Sequence, residues 1–168
     1  MLAKIDRFII DKVFQPLTDE LQLTTGKSCY WYAAQSWVVF AATALIDLSM
    51  RFVAQPPGAL LTPFTAFVAL ITPIILFVAY SEHKLLKEHD ARKDLPGTLP
   101  LNPDRTFGPV SRVCFLFYAV YILVKYLIVG GPLMVVLGLA NIGALYFACC
   151  TPLPPGTRRE RRMALSAA

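Results

Sequence analysis

Charge is missing from four long stretches of this chain, and no other feature limits the fold so severely. No Asp, Glu, Lys or Arg occurs between Lys27 and Asp47, between Arg51 and Glu82, between Arg112 and Lys125, or between Lys125 and Arg158. A helix needs about 20 predominantly apolar residues to cross the hydrocarbon core of a bilayer, so such stretches read as membrane spans. Composition agrees: 56% of the residues are hydrophobic and 16% charged, against roughly 45–50% and 25% in soluble domains. Mean hydropathy is +0.55. The expected fold is an all-α integral membrane protein, a bundle of four transmembrane helices preceded by an amphipathic interfacial helix.

The spans are placed at residues 28–52, at 58–80 after the break Pro56-Pro57-Gly58, at 113–129, and at 133–150 after Gly130-Gly131-Pro132. Thr151-Pro152-Leu153-Pro154-Pro155-Gly156 stops the last of them. Three regions follow: a cytoplasmic amphipathic segment at 1–27, a transmembrane domain at 28–150 with a cytoplasmic loop at 81–112, and a basic tail at 151–168. Lys4, Asp6, Arg7, Asp11 and Lys12 interrupt any apolar run near the start, so no removable signal peptide is expected and the first span directs insertion.

An even number of spans places both termini on one side, and the basic residues choose which. Of the 16 Lys and Arg, all but Arg51 and Lys125 fall in the N-terminal segment, the central loop or the tail. The positive-inside rule assigns that side to the cytoplasm, of a bacterial inner membrane or an equivalent bilayer. The outer connections are then too short to form a recognition surface. A receptor with an external ligand-binding domain is excluded.

In the N-terminal segment Leu2, Ile5, Ile9 and Val13 recur at helical spacing, with Phe8, Ile10, Phe14, Leu17 and Leu21 widening the stripe and Lys4, Arg7, Asp11 and Lys12 opposite. That is the pattern of a helix lying in the membrane interface, which Pro16 is expected to break or kink. Residues 81–95 are charged but helix-compatible, with Glu88 and Arg92 at a favourable spacing of four, so the second helix is expected to project beyond the bilayer. In the tail, Arg158, Arg159, Arg161 and Arg162 are each worth about 1 kcal/mol near anionic lipid. Anionic headgroups are their expected partners.

Charges inside spans are functional suspects because burying them is expensive. Asp47 and Lys125 lie at matched depth near the outer ends of the first and third spans, so a candidate ion pair across helices joins them. Arg51, four residues after Asp47, competes as an intrahelical partner. Snorkelling to the outer headgroups is the plain alternative for Arg51 and Lys125. Pro63 and Pro73 interrupt the second span, with Thr62, Thr65 and Thr72 nearby to satisfy freed backbone groups. In the fourth span Ala140, Ala144 and Ala148 recur every four residues beside Gly143 and Asn141, a helix-packing interface within the bundle or between protomers. Tyr30, Trp31, Tyr32 and Trp37 read as an interfacial aromatic belt.

Conventional chemistry is sparse. No histidine occurs in a span, which removes bis-His haem ligation. His83 and His89, six apart, read as solvated surface residues rather than as metal ligands. Four spans and four cysteines invite comparison with membrane thiol oxidases, but no C-x-x-C is present and Cys29, Cys114, Cys149 and Cys150 all lie at the reducing, cytoplasmic end. They read as packed or interface thiols. No catalytic residue, cofactor or metal is assigned, and the net charge of +5 comes without a nucleic-acid-binding motif. The leading expectation is a non-enzymatic scaffold or accessory subunit that assembles with itself or with a larger membrane complex. The alternatives are an oligomeric channel, pore-forming effector or small transporter, and an intramembrane enzyme handling lipid or quinone.

Overall fold

A computed structural model describes residues 1–54, 63–92, 101–102, 107–129 and 131–154, and every regular element among them is helical. In chain order these are α1 (Leu2–Ile9), a π-helical turn (Ile10–Phe14), α2 (Gln15–Thr25), α3 (Cys29–Val53), α4 (Pro63–Arg92), α5 (Pro109–Val129), α6 (Pro132–Tyr146) and a 3-10 turn (Phe147–Cys149). Among the described residues, Cys29–Val53, Thr65–Arg92 and Pro132–Cys149 are long and apolar enough to cross a membrane.

The boundaries follow local chemistry. Pro16 does not end the N-terminal helix: the ladder widens into the π-helical turn directly before it, which accommodates a residue that has no N–H to donate. Gly26 then terminates α2 in the left-handed region at φ 78°, its N–H bonded to the Gln22 carbonyl at 2.8 Å. Ser28 caps α3 by accepting from the Trp31 N–H at 3.3 Å. The expected second span, 58–80, is described from Pro63 onward; residues 58–62 lie outside the described residues. It runs on to Arg92 through Pro73 without stopping. Helix α5 starts at Pro109, where a ring with fixed φ suits the first helical position. The last turn of the expected fourth span tightens to 3-10 geometry.

The four long helices pack as a row, α4 on α3, α3 on α6 and α6 on α5, with α1 lying against α5. No extended packing joins α4 to α5 among the described residues. The row is therefore a curved layer whose concave side opens between its two edge helices. Close packing on both sides of α6 depends on its small residues. A Cβ at Gly138 would meet the Leu123 side chain and the Ala119 carbonyl of α5, and one at Gly143 would lie 2.5 Å from the Ser36 Oγ of α3.

The buried core occupies one end of this row. Cys29, Tyr30, Ala33, Ala34 and Trp37 of α3 pack against Ala79 and Leu86 of α4, Ala144 of α6 and Cys150. Tyr30 and Trp37 are thus core residues, a correction to the interfacial belt. Their spacing with Ala33 and Ala34 keeps them on the face that α3 turns to its neighbours. Trp31 and Tyr32 are half-buried.

Candidate functional site

Among the described residues, polar groups gather at each end of the row. At the packed end, α1 and α2 meet the start of α5 and the chain leaving α6. Asp6 and Arg112, each 2% exposed, form a buried bidentate pair, with Nη2 to Oδ2 at 2.6 Å and Nε to Oδ1 at 3.2 Å. Arg112 also donates to the Phe107 carbonyl. Phe14 stacks on Tyr146 at 4.7 Å between ring centroids. Gln15 and Gln22 each clamp one residue of the segment after α6: Gln15 donates to the Thr151 carbonyl at 2.9 Å and accepts from its N–H at 3.0 Å, and Gln22 does the same for Leu153 at 3.2 and 3.0 Å. Ser28 donates to Asp90 at 2.5 Å, tying α3 to the far part of α4.

This tether was not foreseen, although a trace of it is readable. Asp6 lies on the apolar side of the N-terminal helix, four residues after Leu2 and three before Ile9, where an acid has no reason to be unless a cation meets it. Phe8, Val13 and Leu17 of the expected apolar stripe are exposed rather than packed on the chain's own helices. A cleft of about 370 Å³ separates α1 from α5, lined mainly by charged residues including Lys4, Arg7 and Asp11.

His83 and His89 are half-buried against α3 rather than solvated: a His83 ring nitrogen lies 3.1 Å from the Ala34 carbonyl, and the His89 ring meets Tyr30 edge-on. No group of three or more His, Cys, Asp or Glu suited to a metal occurs among the described residues. The Cys29 thiol donates to the Cys150 carbonyl at 3.2 Å; Cys29 and Cys150 are buried, Cys149 is half-buried and Cys114 is exposed.

The opposite end holds the second constellation, a half-open groove of about 390 Å³ walled by all four long helices. Helix α3 supplies Phe40, Ala44, Asp47 and Arg51, spaced so that one face of the helix forms the back wall. Helix α6 adds Gly138 and Asn141, and the side walls include Ile71 and Thr72 of α4 and Tyr118 and Lys125 of α5. Asp47, Arg51 and Lys125, which the sequence joined as a candidate ion pair, are brought to one lining together with Asn141 of the packing interface. Asp47 accepts from Arg51 Nε at 2.7 Å within α3, the intrahelical geometry. Asn141 forms no side-chain hydrogen bond among the described residues. Thr72 donates back to the Val68 carbonyl, one turn before Pro73.

Of the other expected packing residues, Ala140 and Ala144 of α6 are buried, Gly143 lies on Ser36 of α3, and Ala148, in the 3-10 turn after α6, packs against the core cluster. Arg158, Arg159, Arg161 and Arg162 lie outside the described residues. What the groove offers is one acid, two cations and one amide near the ends of long apolar helices, with aromatic and aliphatic walls beneath. Such a set can hold a charged head and an apolar body; it has no nucleophile–base pair with which to perform chemistry. No family model, curated protein or solved structure matches this chain.

Proposed function

We propose that the chain is a polytopic membrane protein whose four long helices all cross the bilayer, and that it serves as a scaffold or accessory subunit assembling with a second copy or with a larger membrane complex. Helix α5, 21 residues and about 31 Å long, matches the hydrocarbon thickness as the fourth crossing. The ends joined by α1, α2 and the segment after α6 face the cytoplasm in this reading, with the tail's arginines at anionic headgroups.

The observation that carries the reading is the outer face of α4, at one edge of the row. Leu70, Ile74 and Phe77 recur along that face and are 74%, 63% and 72% exposed. Helix α5, at the other edge, leaves Phe117 and Val124 similarly bare. The small residues of α6 that suit helix association are already engaged with α3 and α5, so assembly falls to these edge helices. A pore within one chain is less well supported, because Trp37, Ala33 and Tyr30 pack the other half of the row beneath the groove.

The test is native mass after extraction from the source membrane in a mild detergent, with every co-purifying chain identified. A complex of defined stoichiometry that is lost in a Leu70→Ala/Phe77→Ala variant supports the reading. A monomer at all detergent concentrations, with no co-purifying chain, overturns it. Ion flux from liposomes carrying the purified protein would move the assignment to a pore.

A further inference from the structure

A row of helices in a bilayer cannot leave polar groups facing hydrocarbon without cost, and the groove leaves Asp47, Arg51, Lys125 and Asn141 on an open concave side. We infer that this groove is a binding site for one anionic amphiphile, a molecule with a singly charged phosphate or carboxylate head and an apolar chain. The inference rests on the membrane-spanning reading above. It concerns the end of the protein opposite the basic tail, so its ligand comes from the other leaflet.

Charge selects the head. The lining carries Arg51 and Lys125 against Asp47 as its single acid, an excess of one positive charge whichever acceptors the two cations use. An anion compensates it, and guanidinium and ammonium groups near a headgroup region are suited to phosphate or carboxylate. Depth selects the body. Arg51 and Lys125 stand near the ends of α3 and α5, whereas Asn141 lies roughly 13 Å along α6 from Pro132. The groove is therefore charged at its rim, presents one amide with donors and an acceptor further in, and continues between apolar walls at Phe40, Ile75 and Phe115. That order matches a charged head, a polar linkage and a chain.

The groove's volume of about 390 Å³ lies within the roughly 300–1,000 Å³ typical of small-molecule sites. Phe40 of the back wall also packs against the core cluster, which ties the groove to the packed end.

The experiment is native mass spectrometry of the full chain in mild detergent, titrated separately with phosphatidylglycerol, with phosphatidylcholine of the same acyl chains, and with a free fatty acid. One phosphatidylglycerol retained per chain, in preference to phosphatidylcholine, is the expected result. In Arg51→Gln/Lys125→Gln retention should fall roughly fivefold for each cation removed. A fatty acid retained in place of phosphatidylglycerol supports the site and identifies its head as a carboxylate. Equal retention of the two phospholipids overturns the site, as does a preference that survives the double substitution. Removing Arg51 also strips Asp47 of its partner, so Ala44→Phe provides a second test that fills the back wall and keeps both cations. It should abolish retention, and unchanged retention overturns the proposal. Washing source membranes with alkaline carbonate separates the two failures: release of the chain breaks the membrane reading, whereas a chain that stays in the membrane but shows no lipid preference breaks only the site.

Discussion

The two ends of the helix row solve the same problem in opposite ways. At the packed end the charges drawn inward are met by partners from elsewhere in the chain: Asp6 reaches Arg112 across 106 positions, and Ser28 reaches Asp90 across 62. At the groove end the ion pair of Asp47 with Arg51 is local to a single helix and half-buried. The difference follows from connectivity. Helices α1 and α2 and the segment at 151–154 all fall at the first end and seal it, while the concave side of the other end remains available. Polar contacts between distant parts of the chain are thus concentrated where the chain folds back on itself.

Breaking the Asp6–Arg112 pair should give the largest effect. Removing one partner leaves the other as an uncompensated buried charge, so Arg112→Met or Asp6→Leu should each cost about 3–5 kcal/mol. The double variant should recover most of that loss, because a well-packed apolar pair can replace a buried ionic one. Thermal unfolding in detergent measures all three. If either single variant loses less than about 1 kcal/mol, a size ordinary for exposed pairs, the packed end is not what holds the fold.

Gly143→Ala comes next. The added Cβ would sit 2.5 Å from Ser36 Oγ at the contact of α6 with α3, an overpacking that costs about 1–3 kcal/mol. Ser36→Gly in the same chain should relieve it. Gly138→Ala meets Leu123 Cγ at 3.2 Å and the Ala119 carbonyl at 3.4 Å, both looser than the contact at Gly143, and should be milder. A larger loss at Gly138 would show that the α5–α6 contact, not the α3–α6 contact, is the less yielding one.

The long helices were legible because charge-free apolar runs of membrane-crossing length are a property of the sequence alone. Cys29–Val53 and Pro132–Cys149 match the expected first and fourth spans within a few residues. The groove was legible in part: matched depth joins Asp47, Lys125 and Arg51 as a candidate ion pair, but that Asn141 lines the same groove depends on α6 lying between α3 and α5, an order that hydropathy does not encode. Tyr30 and Trp37 were misread for a related reason. An aromatic residue near a helix end suits an interface and a core equally well, and only the neighbouring helices decide. Asp6 was legible in principle, as an acid on an apolar stripe, but its partner Arg112 looked like one more basic residue on the cytoplasmic side.

The glutamine clamp allows a smaller test of the sealed end. Gln15→Ala and Gln22→Ala each remove a pair of hydrogen bonds to the backbone of the segment after α6. Each should cost about 1 kcal/mol. Hydrogen exchange resolves the effect better than melting does: the Thr151 N–H should lose protection in the first variant and the Leu153 N–H in the second, each with little change at the other amide. Loss of both in either variant would mean that the segment is released as a unit.

The smallest change in stability is expected at Asp47, and there its smallness is the point. The pair with Arg51 is 18% and 28% exposed at its two side chains and joins neighbours four apart on one helix, a type of contact worth less than about 1 kcal/mol. Asp47→Asn should therefore leave the unfolding temperature in detergent almost unchanged. It raises the excess positive charge of the groove by one, so retention of an anionic lipid should rise rather than fall. The same substitution also tests an interhelical Asp47–Lys125 pair acting as a strut. A strut predicts a marked loss of stability or assembly on neutralising the acid, whereas a groove that binds an anion predicts a stable protein that holds its ligand more tightly. A large destabilisation would place Asp47 with Asp6 among the residues that hold the fold and would erase the contrast between the two ends.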